Sequence, residues 1–516
     1  MLFNSYGFLL IFLPATLGGF FLAGRLGRNL AAAWMLLASL TFYSQWDASY
    51  LPLLLGSIAF NFAVGTTIAS ARRQDRPERA KLFLGIGLAG DLAALGYFKY
   101  ADFLVGNLNA AIGTHWQVGE ITLPMGISFF TFTQVAFLVD AFRGKASEYN
   151  IAHYGLFVTY FPHLVAGPIL HHKEMMPQFG RSRTYSFSWT NMAVGFSCFA
   201  IGLAKKVLVA DSLSPYANSV FDAAQAGDAP SLFYAWGGAL AYTFQIYFDF
   251  SGYSDMAIGL SRLFGVRLPL NFNSPYKAAD IIDFWRRWHM TLSRFLRDYV
   301  YISLGGNRHG TLRRWGNLMA TMLLGGLWHG AAWTFVLWGG LHGLFLVVNH
   351  AWRVLWPVPD GARRRRWART AAGRAITFLC VVAAWVPFRA TSLDAARHVL
   401  SGLAGLNGAA LPMIFSYRLA RLAPMLQHLG ITFASTSGTQ FVGMYSSMLA
   451  AAALAFFCPN SQEILARYRP ALEPAVRIGG RAGWRMSPRW AIASGLLLAA
   501  GFLSLLRPTQ FLYFQF

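Results

Sequence analysis

The stretch LLGGLWHGAAWTF, residues 323–335, indicates what class of protein to expect. It is apolar almost throughout, and it lies inside a longer run, Trp315 to Trp352, that contains no Asp, Glu, Lys or Arg. Such a run is typical of helices that cross a bilayer, because each crossing needs roughly 20 apolar residues. At its centre stands His329, between Trp328 and Gly330, and an imidazole in this setting requires an explanation.

The composition extends this interpretation to the whole chain. Of its 516 residues, 55% are hydrophobic and only 12% are charged, whereas a soluble domain carries about 25% charged residues. The apolar runs are continuous, and they therefore lack the polar–apolar alternation of β-barrel strands. The sequence predicts an all-α polytopic membrane protein with roughly 11–13 membrane helices, some of them re-entrant. We expect a single membrane-embedded domain over residues 1–516, with a motif-rich core at about 120–350.

The apolar runs give approximate spans for these helices. The ends of each span are defined to within a few residues. The spans fall near residues 6–23, 30–46, 50–70, 81–98, 122–142, 151–170, 191–210, 231–249, 315–331, 333–350, 373–390, 441–458 and 489–506.

The chain is strongly basic, with a net charge of +22. Nucleic-acid binding is one interpretation, but the basic residues cluster between apolar runs, as the positive-inside rule describes. Basic residues occupy the first connection (Arg25, Arg28) and the third (72–81), whereas the turn SQWDAS, residues 44–49, has none. We therefore expect a multi-pass protein of a bacterial inner membrane, in contact with lipid and not with nucleic acid, whose N-terminus is periplasmic.

A Gly-x-Gly-x-x-Gly pattern occurs in GIGLAG, residues 85–90. A dinucleotide site requires this pattern between a strand and a helix. Here it lies inside an apolar run, so we predict close helix packing through small residues instead.

Two aspartates lie in the otherwise apolar or small-residue stretch 244–265. Asp249 and Asp255 are both candidates for chemistry, because carboxylates at membrane depth are costly and are usually functional or paired. The alternative is structural, with each carboxylate bonding a neighbouring helix or capping a helix end. The sequence favours neither interpretation.

The stretch 271–310 combines aromatic and basic residues. Its spacing predicts an amphipathic helix that places Trp285, Trp288, His289, Leu292, Phe295 and Leu296 on one face. Arginines 286, 287, 294 and 297 would lie on the other faces, where they would meet either the phosphates of a cofactor or the headgroups of anionic lipids. On spacing alone, His289 is more typical of a core histidine than of a catalyst.

His329 is the strongest candidate for chemistry. A charged ring at membrane depth costs about 2.5–3.5 kcal/mol on insertion scales, whereas a neutral imidazole is cheaper to bury and can accept a proton. The neighbouring glycines 325, 326 and 330 would let another chain segment or a ligand approach closely. The sequence has no HExxH zinc site, no P-loop and no GxSxG nucleophile elbow. A base acting on an acceptor hydroxyl is therefore the simplest chemistry.

At this point the chain resembles a known family, the membrane-bound O-acyltransferases, and within it the bacterial alginate O-acetyltransferase branch. The resemblance covers most of the chain and is strongest from about 120 to 350. It rests on LPMGISFFTFTQVAFLVDAFRG (123–144), YFPHLVAGPILHHKEMMPQF (160–179), FDFSGYSDMAIGLSRLFG (248–265), LNFNSPYKAADIIDFWRRWHMTLSRFLRDYVYISLGGNR (270–308) and LLGGLWHGAAWTFVLWGGLHG (323–343).

The resemblance implies a helical fold around a central tunnel and two site residues. His329, in LWHG, is similar to the family's catalytic histidine, and His289, in RRWHMTLSRF, is similar to its second motif histidine. It also implies transfer of an acetyl group from a cytoplasmic donor, with acetyl-CoA expected and no permanently bound cofactor or metal. The immediate acceptors would be periplasmic acetyl-transfer proteins of a polysaccharide acetylation complex, with alginate as the nearest polymer.

Three alternatives stay open at the level of sequence. The polymer can be cellulose or another cell-envelope polymer. The protein can be a transport component without chemistry, because broken helices and buried polar groups are typical of transporters, although the chain shows no internal repeat. It can also be a scaffold in which His329 is structural.

Overall fold

The computed structural model describes residues 1–148, 150–165, 167–356, 363–475, 483–506 and 512, without the side chains of residues 363–368. Helices dominate this part of the chain, which confirms the predicted all-α fold. The described residues form two compact units. Within the described ranges, the first unit draws on residues 1–204, 252–271 and 461–506, and the second draws on residues 205–251, 272–460 and 512. The prediction of one acyltransferase domain over residues 1–516 stays a prediction.

The first unit is built from helices joined by short connections. Its helical segments are Phe8–Phe12, Leu13–Leu26, Arg28–Ser44, Ala48–Tyr50, Leu51–Arg73, Pro77–Leu95, Gly96–Tyr100, Ala101–Ile112, Ile127–Phe142, Ile151–Thr159, Phe161–Leu164, His172–Phe179, Ser182–Tyr185, Trp189–Ala204, the part of Leu232–Leu263 from residue 252 onward, Ser461–Ile464, Ala466–Tyr468, Pro488–Leu503 and Ser504–Leu506.

The second unit holds the remaining helices and a small sheet. Its helical segments are Lys205–Ala210, Asp211–Gln225, Leu232–Leu263 up to residue 251, Pro275–Lys277, Ile281–Trp285, Met290–Phe295, Leu296–Tyr301, Gly310–His329, Trp333–Leu355, Arg363–Arg389, Leu393–Leu403, Ile414–Arg418, Ala423–His428 and Gly438–Phe457. Strands Ala409–Pro412 and Ile431–Ala434 pair in parallel, with Ala409 opposite Ile431.

Eight helices in the described part of the chain are long and apolar enough to cross a membrane, and the protein is a multi-pass membrane protein. They are Phe8–Leu26, Ala48–Arg73, Pro77–Ile112, Trp189–Gln225, Trp333–Leu355, Arg369–Arg389, Gly438–Phe457 and Pro488–Leu506.

Two of the predicted spans that are not among these eight are shortened or broken in the structure. The predicted span 151–170 is two short helices, Ile151–Thr159 and Phe161–Leu164, because the backbone of Tyr160 leaves the helical conformation before Pro162. The predicted span 122–142 becomes helical only at Ile127. The predicted orientation of the N-terminus and the central tunnel stay predictions.

The three glycines of GIGLAG lie within the helix Pro77–Leu95, and Gly87 and Gly90 face neighbouring helices, whereas Gly85 has open space beside it. A Cβ atom on Gly87 would lie 3.0 Å from Val64 and would also press on Leu138, and one on Gly90 would lie 2.8 Å from the Phe60 ring. The packing interpretation of this motif is confirmed.

Candidate active site

His329 is the last residue of the helix Gly310–His329. Gly330 then takes an extended conformation (φ −162°, ψ 148°), and the next helix, Trp333–Leu355, begins three residues later. The stretch 323–335 therefore forms the turn of a tight helical hairpin. The histidine lies at its turn, where the helical backbone pattern stops.

The glycines beside His329 allow the two helices of the hairpin to touch. A Cβ atom on Gly326 would collide with the carbonyl oxygen of Phe335, and one on Gly339 would collide with that of Met322. Gly330 has the same role, because a Cβ atom there would meet the Phe335 ring. The close approach predicted from these glycines is thus made by the adjacent helix.

Aromatic rings surround the imidazole of His329. The ring centroids of Trp338 and Phe388 lie 5.1 Å away and that of Trp328 lies 4.9 Å away, all with their planes steeply inclined to the imidazole. Trp385 extends the wall by stacking on Trp338 at 5.8 Å. Rings at these separations and inclinations are in a favoured aromatic packing geometry.

His289 lies in a break between the short helices Ile281–Trp285 and Met290–Phe295. Its φ of 42° and ψ of 53° are left-handed, a conformation that is costly for a residue with a Cβ atom and that clusters at functional sites. The prediction of one continuous amphipathic helix was therefore wrong. The burial pattern behind it holds, because Trp288, His289 and Leu292 are buried while Arg286 is exposed.

The structure brings the two predicted histidines together. The centroids of the His289 and His329 rings are 6.3 Å apart, and the edge of Phe250 meets His289 at 4.8 Å. His329 keeps 6% of its surface exposed, whereas His289 keeps none. Of the pair, His329 is the less deeply buried residue.

A third histidine, His342, belongs to the same cluster and was not predicted as a site residue. It is fully buried, 4.8 Å from the ring of Trp338 and 5.1 Å from that of Trp285. Neither ring nitrogen has a hydrogen-bond partner among the described residues. The sequence offered one indication that His342 lies near His329. It follows His329 by thirteen residues (342 − 329 = 13), on the second helix of the hairpin.

The first of the two candidate aspartates, Asp249, is paired. Its carboxylate lies 2.7 Å from the Nζ atom of Lys206, which also contacts Asp211 at 2.6 Å, and the backbone N–H of Leu512 donates to it at 3.3 Å. All of these groups lie in the second unit, where Lys206 and Asp249 are each 1% exposed. The geometry supports a structural role for Asp249.

The second aspartate, Asp255, lies in the first unit. It accepts hydrogen bonds from the Ser461 hydroxyl at 2.7 Å and from the Gln462 amide at 3.1 Å. This carboxylate therefore ties two segments of one unit together. The contact fits the structural interpretation, in which the carboxylate bonds a neighbouring segment.

Two of the four arginines near His289 are already engaged by acidic neighbours. Arg287 lies 2.9 Å from Asp283, and Arg297 lies 2.7 Å from Asp298. These pairs leave the arginines less available to phosphates, whether of a cofactor or of lipid headgroups.

The chain is similar in sequence to several known proteins. A family model described as MBOAT, membrane-bound O-acyltransferase family, matches residues 141–384, which include all three clustered histidines. A peptidoglycan O-acetyltransferase of Helicobacter pylori is 43% identical over 440 residues, covering 80% of this chain and 81% of that protein. A probable alginate O-acetylase AlgI of Azotobacter vinelandii is 44% identical over 408 residues, covering 78% of each chain. A teichoic acid D-alanyltransferase of Streptococcus thermophilus is 30% identical over 242 residues, covering 44% of this chain and 57% of that protein.

Proposed function

Because the chain belongs to the membrane-bound O-acyltransferase family, we propose that it moves an acetyl group from a cytoplasmic donor across the bacterial inner membrane for O-acetylation of an exopolysaccharide. The protein is an acyltransferase embedded in a membrane. The donor, the acceptor and the polymer are the proposed parts. The observation that carries the proposal is the proximity of His289 and His329, 6.3 Å apart, inside the family-matched region.

In this proposal His329 is the general base. It accepts the proton of an acceptor hydroxyl while the hydroxyl oxygen attacks the carbonyl carbon of acetyl-CoA. A C–O bond forms and the thioester C–S bond breaks. The leaving thiolate then takes the proton from His329, so the ring returns to its neutral state and the products are an acetyl ester and free CoA.

His289 is our candidate for stabilising the negative charge that develops on the carbonyl oxygen. Donors fixed before the reaction are effective here, because they need no reorganisation as the charge appears. The full burial of His289 and its wedged position against Phe250 support a fixed ring. The hydroxyl would come from a periplasmic acetyl-transfer protein, which then passes the acetyl group to the polymer.

The assignment of His329 is tested by His329→Ala. We expect polymer acetylation to fall by about 10²–10⁴-fold, the usual contribution of a general base, while the amount of protein in the membrane stays unchanged. His350→Ala is the matched control, because His350 lies on the adjacent helix and contacts Arg314 at 2.9 Å. Acetylation retained in His329→Ala would refute the assignment.

Alginate is the polymer we propose first, and cellulose or another envelope polymer is the alternative. The names of the relatives point both to alginate and to peptidoglycan, at nearly equal identity. A deletion strain separates these cases when alkali-released acetate is measured on isolated exopolysaccharide and on isolated peptidoglycan. Loss of acetate from peptidoglycan alone would overturn the exopolysaccharide proposal.

A transporter or a scaffold would also occupy the membrane, and donor consumption distinguishes both from the proposed enzyme. Membranes that contain the protein and its periplasmic acceptor should release free CoA from acetyl-CoA, and membranes with His329→Ala should not. A transporter would move labelled substrate without releasing CoA. A scaffold would leave acetylation intact in His329→Ala.

A further inference from the structure

The first unit contains a cavity of about 860 Å³ with a strongly basic lining. Five of the side chains around it are cationic, and two, Glu174 and Glu473, are acidic. The cationic side chains are those of Lys173, Arg181, Arg183, Arg262 and Arg267.

The two carboxylates that line this cavity accept hydrogen bonds from backbone N–H groups. The N–H of His171 donates to Glu174 at 3.3 Å, and the N–H of Leu270 donates to Glu473 at 2.7 Å. None of the five cationic side chains forms an ion pair within the described ranges of the chain. The lining therefore carries an excess of positive charge, with five cationic side chains against two carboxylates.

Arg262 is the most unusual member of this group. Only 7% of its surface is exposed, and its Nε–H finds no acceptor among the residues that the structure describes. A buried donor without a partner costs free energy, and the cost is larger for a charged group. Basic residues that serve only to orient a membrane protein are exposed instead, as Arg76 and Arg79 are.

Positive charges in and beside the lining also act on one another. Burial, followed by the positive charges of Arg183, Arg469 and Arg181, lowers the pKa of Arg267 from its ordinary value. Such mutual repulsion raises the free energy of the empty cavity. A bound anion would relieve this repulsion.

We propose that this cavity binds a phosphate-bearing ligand. Guanidinium groups bind phosphate through paired, charge-assisted hydrogen bonds, and the cavity volume lies within the roughly 300–1,000 Å³ range of small-molecule sites. Two sources present this chemistry, the phosphates of a nucleotide-type donor such as CoA and the headgroup of an anionic phospholipid.

The surroundings of the cavity fit either source. Arg28, in the connection that the sequence predicts to be cytoplasmic, donates to the carbonyl oxygen of Gly180 at 3.0 Å, next to the cavity residue Arg181. We therefore expect the cavity to lie on the cytoplasmic side, where both CoA and anionic headgroups are present.

Phe187 separates the two sources. Its ring also lines the cavity, is 52% exposed and packs edge-on against Trp189 at 4.9 Å. An adenine base can stack on such a ring, since every base offers a π-face, whereas a phosphatidylglycerol headgroup has none. Phe187→Ala should therefore weaken the binding of CoA and leave the binding of phosphatidylglycerol unchanged.

The test uses the full-length protein in nanodiscs. CoA binding is measured by calorimetry in phosphatidylcholine discs at fixed salt, and retention of phosphatidylglycerol is measured by native mass spectrometry. The variants are Arg262→Gln and Arg183→Gln, with Arg76→Gln as the control that removes the same charge from an exposed site outside the cavity. Arg183 is exposed, so its variant keeps the test decisive if Arg262→Gln fails to fold.

We expect both cavity variants to weaken one of the two probes at least tenfold and the control to match the wild type. Weaker CoA binding identifies the nucleotide source, and lost phosphatidylglycerol identifies the lipid source. Wild-type binding of both probes by folded Arg183→Gln would overturn the proposal. The nucleotide source rests on the acetyl-CoA donor proposed above, but binding needs no transfer, so His329→Ala should bind CoA normally even though it is inactive.

Discussion

Replacement of Lys206 by methionine tests the electrostatic network of the second unit. Lys206 is 1% exposed and lies between two carboxylates, 2.6 Å from Asp211 and 2.7 Å from Asp249. Lys206→Met keeps much of the side-chain volume and removes the only charge that the described contacts place between these aspartates. The two negative charges would then face each other at a site with almost no access to water.

The expected cost follows from the burial of the partners. Removing one member of a buried ion pair typically costs about 3–5 kcal/mol, because the remaining charge is left uncompensated. The side chain of Asp249 is 2% exposed and that of Asp211 is 10% exposed, so Asp249 carries most of this penalty. At about 2–4 °C per kcal/mol for a unit of this size, the melting temperature should fall by roughly 6–20 °C.

Thermal unfolding of the detergent-purified protein, followed by tryptophan fluorescence, measures this cost. The double variant Lys206→Met, Asp249→Asn should melt higher than Lys206→Met alone, because it removes the most deeply buried stranded charge. Lys145→Met is the control, since Lys145 is exposed and its change should lie within about 0.5 kcal/mol. A Lys206→Met protein that melts like the wild type, or a double variant that melts below the single one, would refute this reasoning.

Two further predictions concern the hairpin that carries His329. Gly326→Val should destabilise the fold by about 3 kcal/mol or more, because its side chain would collide with the Phe335 carbonyl oxygen. Gly316→Ala, on the same helix with open space around the added methyl group, should be neutral or stabilising in the same thermal assay, and similar losses in both would contradict the packing argument. His342→Phe should keep or raise the melting temperature, because it removes two ring nitrogens that lack partners among the described residues, and a clear loss of stability would point to a hydrogen bond at His342.

Sequence reasoning was most successful where composition alone decides the structure. Long apolar runs without charge predicted helices such as Trp333–Leu355 and Gly438–Phe457, because a bilayer selects segments by length and hydropathy. The glycines beside His329 predicted a close approach, which the packing of Gly326 and Gly330 against Phe335 confirms. In each case the evidence lies in neighbouring residues of the sequence, so the prediction needs no knowledge of contacts between distant residues.

The break in the helix at His289 could not be predicted from the sequence in this way. The i, i+3, i+4 spacing predicted which residues are buried, and Trp288 and Leu292 are buried as expected. Periodicity reports the buried face and not the continuity of the backbone. Neither glycine nor proline marks the turn, because the left-handed residue is His289 itself, and packing holds a conformation that its own preference opposes.

Contacts between residues that are distant in the sequence could not be predicted either. The pairing of Lys206 with Asp249 and the packing of Phe388 against His329 join residues that lie more than forty positions apart. An amphipathic pattern cannot indicate which buried group meets which. The sequence could therefore name Asp249 as either functional or paired, and only its contacts distinguish the two.

The surroundings of His329 bear on when its imidazole can carry a charge in the proposed reaction. Trp328, Trp338 and Phe388 pack around His329, and burying a neutral imidazole among such rings costs less than burying a charged one. In the proposed reaction, the positive charge on His329 appears only together with the negative charge on the attacked carbonyl. Two opposite charges that form and vanish together stabilise each other strongly in a medium of low dielectric constant, and a site walled by rings favours that transition state over a resting ion.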